Sequence, residues 1–386
     1  MHQDAVIVEA VRTPVGLYGG VLAAVHPARL LGLVYGVLLE RAGTGAAEVA
    51  QVVCGAETQT GEQADNVART AWLAAGLPPA TAALTVDGRE LSGQYAAHLT
   101  AALVGSGAPG LGLSCAVEAM SRIPPATATQ RGPGLPRPPG WHVDLPGPFE
   151  AAERVAKAYG IGRADAEEVA GLSRARARAA RADGRATAET CPVPLGTTDI
   201  TADEGAAADP HDGAPFVPRR RTAPAPGGAP AGAVHTARST APFADGAAGL
   251  LWASAESARR LGLRPLARVR AQVALGVDPA SYLEGPVAAT RAALDRAGLS
   301  LGDLGTIELD EPFAAVPLGW ARALGTSLDR VNPRGGALAL GRPGGATGAR
   351  LLTTALAELH SGDHTFALAT TVGDGAQSAA TVLERL

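Results

Sequence analysis

The chain is poor in the residues that would announce many functions outright. Aromatic side chains make up 4% of its 386 residues, Lys157 is the sole lysine, and the only cysteines are Cys54, Cys115 and Cys191. These cysteines lie far apart, without a Cys-x-x-Cys pair, so neither a disulfide framework nor a zinc site is indicated. Charged residues amount to 18%, and a net charge of −4 excludes a dominant basic surface. Nucleic acid and anionic membrane are therefore not expected as partners. No window reaches the roughly 18–20 uncharged apolar residues of a membrane span. The strand-like run Ala5–Val11 follows the first residues directly, no secretory signal is visible, and a cytoplasmic protein is the expectation. His26, His98, His142, His211, His235, His360 and His364 show no ligand spacing beyond an H-x3-H at His360 and His364. No metal and no cofactor are expected.

What is present is a small-residue α/β pattern, 46% hydrophobic, long enough for one large or two medium domains. Up to residue 118, strand-like runs (Ala5–Val11, Val52–Cys54, Ala83–Val86, Gly110–Cys115) alternate with helical ones (Pro27–Arg41, Gln63–Ala75, Ser92–Gly105). That alternation predicts a mainly parallel sheet covered by helices. Ile123–Pro148 then holds eight prolines and four glycines in 26 residues, which excludes regular structure there. Phe149–Arg185 reads as helix. Gly205–His235 is again Pro/Gly/Ala-rich, and its Arg219-Arg220-Arg221 triplet reads as a solvated loop. From Ala244 the pattern returns, with helices predicted at Ala247–Leu261, Pro286–Ala297, Ala314–Leu324 and Thr347–Ser361. Strands are predicted at Ala267–Ala274, Thr306–Leu309, Thr365–Thr371 and Ala379–Leu383. The expected organisation is an N-terminal half (1–118), a loop-domain insertion (119–243) and a C-terminal half (244–386), with the N-terminal core resuming within 244–264. Each half carries a buried helix after a Gly/Ser-rich turn and before a strand, a pattern of internal duplication. Gly341–Gly348 is glycine-rich before a helix, but it lacks the lysine and spacing of a P-loop.

Seven segments in order resemble the thiolase family of acetyl-CoA acetyltransferases. They are Val6-Ile-Val-Glu-Ala-Val-Arg-Thr-Pro-Val-Gly, Gly61-Glu-Gln-Ala-Asp-Asn-Val-Ala-Arg, Val117-Glu-Ala-Met-Ser-Arg-Ile-Pro, Asp245-Gly-Ala-Ala, Asp310-Glu-Pro-Phe-Ala, the run from Val331 through Arg350, and the terminal Leu383-Glu-Arg-Leu. The resemblance implies an α/β thiolase fold: two duplicated α/β/α halves, each with a five-stranded sheet, plus an inserted loop domain. It also implies a dimer. Thiolase chemistry uses a cysteine nucleophile at a helix N-terminus, a histidine that activates it, and a second cysteine that moves the α-proton. By the same resemblance, those positions hold Glu90 (in Thr85-Val-Asp-Gly-Arg-Glu-Leu-Ser), Arg342 (in Gly341-Arg-Pro) and Val372 (in Val372-Gly-Asp). The asparagine of N-E-A-F corresponds to Asp310, with Glu311 kept. The segment lining the pantetheine channel corresponds to Ser239-Thr-Ala-Pro, which places Ala241 and Pro242 along it. The H-M-G stretch is absent around Gly147-Pro-Phe.

Glu90 and Arg342 are thus expected to face each other as a salt bridge that plugs the pocket, and Glu311 is expected to be structural. A carboxylate paired to arginine is a weakened base, which favours the plugged pocket over a catalytic Glu90. Two readings follow. The first is a non-catalytic homologue, paired with itself, an active thiolase or a carrier protein in acyl-CoA metabolism. The second is a repurposed enzyme using Glu90 and Asp310 on an acyl thioester or carboxylate; a binding module for CoA or a carrier arm is compatible with either. A pocket closed by the Glu90–Arg342 pair favours the first reading, and an intact open pocket with a bound ligand the second.

Overall fold

Apolar runs and small-residue helices fold into a layered α/β structure, a computed structural model that describes residues 5–125, 127, 134–206 and 232–386. The Arg219-Arg220-Arg221 triplet and His211 lie outside the described residues. The strands are β1 (Ala5–Arg12), β2 (Gly16–Leu17), β3 (Val49–Gly55), β4 (Ala82–Val86), β5 (Leu111–Ala119), β6 (Val193–Leu195), β7 (Thr198–Ile200), β8 (Ala244–Ser254), β9 (Ala267–Gly276), β10 (Leu304–Leu309), β11 (Phe366–Gly373) and β12 (Gln377–Arg385). The main helices are α1 (Pro27–Ala42), α2 (Val67–Ala74), α3 (Ser92–Gly105), α4 (Pro148–Ala158), α5 (Arg163–Ala182), α6 (Ala255–Leu261), α7 (Gly285–Ala297), α8 (Ala315–Leu324) and α9 (Thr347–Ser361).

The halves repeat one topology. In the first, the order β4-β3-β5-β8-β1 runs parallel through β5 and then antiparallel. In the second, β10-β11-β12-β9 follows the same sense, and the place of β4 is taken by a single parallel bridge from Ile307 to Val331. Pro333 brings no N–H to a ladder there and Asn332 sits at φ +48°, so the fifth strand is cut to one residue. Each sheet is therefore mixed and not mainly parallel. The two sheets join where β1 pairs with β9 at just two positions.

The predicted helix at Ala247–Leu261 is overturned: Ala244–Ser254 is the strand β8, between β1 and β5, and only Ala255–Leu261 is helical. An apolar run buried on both faces has no period to separate helix from strand. Its two glycines tip the balance, since a Cβ on Gly249 would stand 2.8 Å from Val34 of α1. The N-terminal half thus takes up the chain again at Ala244.

The core falls into layers. The two faces of β1 illustrate this: Val6, Val8 and Val11 pack under α1 and α2, while Ile7 and Ala10 pack inward with Ala97 and Ala101 of α3 and Leu351 and Leu356 of α9. Helices α7 and α8 cover the far face of the second sheet. The uncharged composition of α3 follows from this central position. Helices α3 and α9 touch backbone to backbone at their first turns: a Cβ on Gly93 would lie 2.8 Å from the Ala349 nitrogen, and one on Gly348 would lie 2.6 Å from the Gln94 nitrogen.

The insertion packs on this core through α4, α5 and the β6–β7 hairpin. Buried Arg12 reaches into it, with Nη1 and Nη2 donating to Asp203 at 2.7 and 2.9 Å and Nε donating to Glu189 at 2.8 Å. Arg334 approaches Glu189 from the C-terminal half, with Nη1 3.4 Å from Oε2. Among the described residues, no helix is long and apolar enough to cross a membrane, and no group of three or more His, Cys, Asp or Glu is placed to hold a metal.

Candidate active site

The heads of α3 and α9 meet beside the ends of β3, β10 and β11, and a cavity of about 420 Å³ opens there. Its walls are largely apolar, with Met120, Phe149, Phe243, Leu283 and Phe313; its floor carries Glu57, Arg89, Glu90, Arg342 and Asp374. The wall is braced from behind by His235. Fully buried, it sits 2.8 Å from Glu153, accepts from the Ala315 N–H at 3.2 Å, and contacts Phe149 and Phe313 edge-on.

Glu90 is placed by the turn between β4 and α3. Asp87 accepts from the Arg89 N–H at 2.8 Å, Ser92 Oγ accepts from the Gly88 N–H at 3.0 Å, and Arg89 takes φ +57°. Arg342 comes from the turn before α9, where Gly341 takes φ +98° and the Arg342 N–H donates to the Pro242 carbonyl at 2.8 Å. The turn is pinned to the other half by Glu118, which accepts from the N–H groups of Glu57 and Gly345 and from Gln63. Gln63 and Glu118 are thus the structural reason for two of the sequence segments quoted above.

The expected Glu90–Arg342 ion pair is present, but as the lesser of two. Arg342 directs its fork at Asp310, with Nε donating at 3.0 Å and Nη2 at 2.6 Å, and Nη2 also donates to the Val372 carbonyl at 2.8 Å. Glu90 is a flanking partner, Oε1 standing 3.6 Å from Nη1, and its Oε2 accepts from the Asp374 N–H at 3.1 Å. The fully buried Asp310, at the end of β10, takes the Nε/Nη2 edge of the guanidinium and leaves only Nη1 facing Glu90. The expected plug is overturned, because the charges line the floor of a cavity that stays open above them.

Val372 and Ala241 line the cavity; Pro242 contributes its carbonyl behind it. Glu311 is not on the lining. It accepts from Ser173 at 2.9 Å, from Asn332, and from the Leu338 N–H at 3.2 Å, tying α5 to the 332–338 segment. The three cysteines are buried away from the cavity, and burial pushes the Cys54 thiol well up and the Cys191 thiol up to about 11. Neither is poised as a thiolate.

Sequence reasoning did not single out four floor and wall residues. Arg89 forms a bidentate pair with Asp374, at 2.8 and 2.7 Å, across the two halves. Both adjoin residues that were singled out, Glu90 and the Val372 turn, and that proximity was the available signal. Glu57 and Tyr282 carried none.

Burial raises the carboxyl of Glu57 well above its ordinary value, with Glu90 and Glu118 adding to it and Arg89 opposing. Burial and Asp374 likewise raise Glu90, against Arg342. In this field the folded protein keeps protons that the unfolded chain has released. Their stabilising contribution is full below the unfolded carboxyl value and is lost as pH rises through the folded values. Glu57→Gln should remove up to about 1.4 kcal/mol per pH unit of that decline above pH 4.5. Urea melts between pH 5 and 8 test this, and parallel slopes for the two proteins would contradict it.

Two repeated α/β halves with a cavity where their central helices meet define the class. Residues 5–256 match the description Thiolase, N-terminal domain, and residues 263–385 match Thiolase, C-terminal domain. The chain belongs to the thiolase family. It is 35% identical to the steroid 3-ketoacyl-CoA thiolase of Mycobacterium tuberculosis, over 99% of this chain and 94% of that one. It is 37% identical to the 3-oxoadipyl-CoA/3-oxo-5,6-dehydrosuberyl-CoA thiolase of Escherichia coli, over the full length of both. Among solved structures, the Bacillus anthracis acetyl-CoA acetyltransferase superposes with a TM-score of 0.86 at 30% identity, covering 100% of this chain and 99% of that one.

Proposed function

We propose that this thiolase-family chain binds an acyl thioester in the cavity between its halves and does so without forming a covalent acyl-enzyme. The observation that carries this reading is Glu90: a carboxyl, not a thiol, stands at the head of α3, and no cysteine lines the cavity. A carboxylate attacking a thioester would give a mixed anhydride, less stable than the thioester consumed. Arg342, held by Asp310, offers no base to activate a nucleophile, and Val372 no proton carrier. The names of the relatives supply the ligand class; the side chains at the floor argue against their chemistry here. Pairing with a second copy or with an active relative, a role as partner subunit, belongs to the same proposal, with light scattering as its measurement.

A second reading has its own support. Glu90 sits in a cavity that is open, its carboxyl raised above the ordinary value by burial and Asp374, and such a group can act as general acid or base on a bound acyl thioester. Incubation with acetyl-CoA followed by intact-protein mass spectrometry tests the main reading. The unmodified mass is expected, together with saturable binding by calorimetry. A stable acetyl adduct on any cysteine would overturn it.

A further inference from the structure

The floor of the cavity has spent nearly all its polar capacity on itself. Arg342 gives its donors to Asp310 and Val372, and Arg89 gives its fork to Asp374. Thr240 Oγ1 donates to the Thr236 carbonyl. Tyr282 differs. It lines the same cavity, is 1% exposed, packs with Val372 and Phe313, and its hydroxyl has no hydrogen-bond partner among the described residues. A buried hydroxyl left unpaired costs free energy, which a ligand that supplies an acceptor returns.

The surrounding groups say which acceptor. Asp374 and Asp310 already occupy Arg89 and Arg342, and two further carboxyls, Glu57 and Glu90, stand beside them, so a ligand carboxylate would find no uncommitted guanidinium among the described lining residues. A neutral carbonyl oxygen meets no such penalty. We infer that Tyr282 is a specificity-determining residue: its hydroxyl donates to a neutral carbonyl oxygen on the acyl group, while a floor whose guanidiniums are already paired disfavours acyl groups that end in a carboxylate. The inference rests on the acyl-thioester reading above.

The test compares acetoacetyl-CoA, butyryl-CoA and succinyl-CoA by calorimetry, on the full chain and on Tyr282→Phe. Acetoacetyl-CoA adds one carbonyl to butyryl-CoA and should bind about threefold to tenfold tighter, the ratio of one neutral hydrogen bond. Tyr282→Phe should erase that ratio, leave butyryl-CoA unchanged, and not lower the melting temperature, since it removes an unpaired hydroxyl and keeps the ring. Succinyl-CoA should bind more weakly than butyryl-CoA. If butyryl-CoA binds and the acetoacetyl ratio survives in Tyr282→Phe, the role of Tyr282 is overturned alone. Succinyl-CoA matching butyryl-CoA would overturn the exclusion of anions. If none of the three binds the unaltered protein, the acyl-thioester reading falls, and this inference falls with it.

Discussion

Arg342→Ala is expected to cost about 3–5 kcal/mol of stability, the range for stranding one partner of a buried ion pair. The cause is Asp310, fully buried, which accepts from both Nε and Nη2 of the guanidinium and would be left as an unpaired carboxylate. Removing both partners, in Arg342→Ala with Asp310→Ala, should recover most of the loss, because the penalty lies in the orphaned charge. Glu90→Ala should cost distinctly less than Arg342→Ala. It leaves the Arg342–Asp310 fork in place and removes a flanking contact at 3.6 Å. Equilibrium urea melts measure all four proteins. Glu90→Ala matching Arg342→Ala, or Arg342→Ala within about 1 kcal/mol of the parent, would refute this account of the floor.

Arg12→Ala should cause a loss of the same order, about 3–5 kcal/mol, for a different reason. Arg12 joins β1 to Asp203 and Glu189 in the insertion, and all three side chains are 2–3% exposed. Burial alone would weaken the guanidinium charge; the two carboxylates hold it firmly protonated, so the pair persists throughout the neutral range. Arg12→Lys should recover little, since an ammonium lacks the planar fork that spans both carboxylates. Against a net stability of roughly 5–15 kcal/mol, either change would visibly lower the soluble yield. Limited proteolysis supplies the structural check: cleavage should begin in the insertion, between residues 163 and 203. An unchanged melt for Arg12→Ala would refute the tie.

The outline of the fold was legible because its signals are local. The segment from Val6 to Gly16 shows its strand and turn in order, and Ser92–Gly105 is helical over the very residues its uncharged run suggested. Strand β8 was illegible for the converse reason: Ala247–Ala253, buried on both faces, carries no period. At the site, the identity of Glu90, Arg342, Val372 and Asp310 was readable, and so was the Glu90–Arg342 ion pair, but not that Asp310 takes the fork. Whether a guanidinium forks onto Glu90 or Asp310 depends on which carboxyl lies in its plane, a relation among three separate turns. Tyr282 left no trace in the sequence, because an unpaired hydroxyl is a property of surroundings and not of spacing.

The crossing of α3 and α9 at Gly93 and Gly348 leaves no room for a methyl group on either side. A change of backbone path in one half must therefore be answered by its twin, and the two repeats are bound to drift in concert. The side chains a few residues earlier, at Glu90 and Arg342, line an open cavity and carry no such obligation. The scaffold thus separates what heredity must preserve from what it is at liberty to rewrite: the seam keeps the architecture fixed while the residues a few ångströms above it can be exchanged for another chemistry.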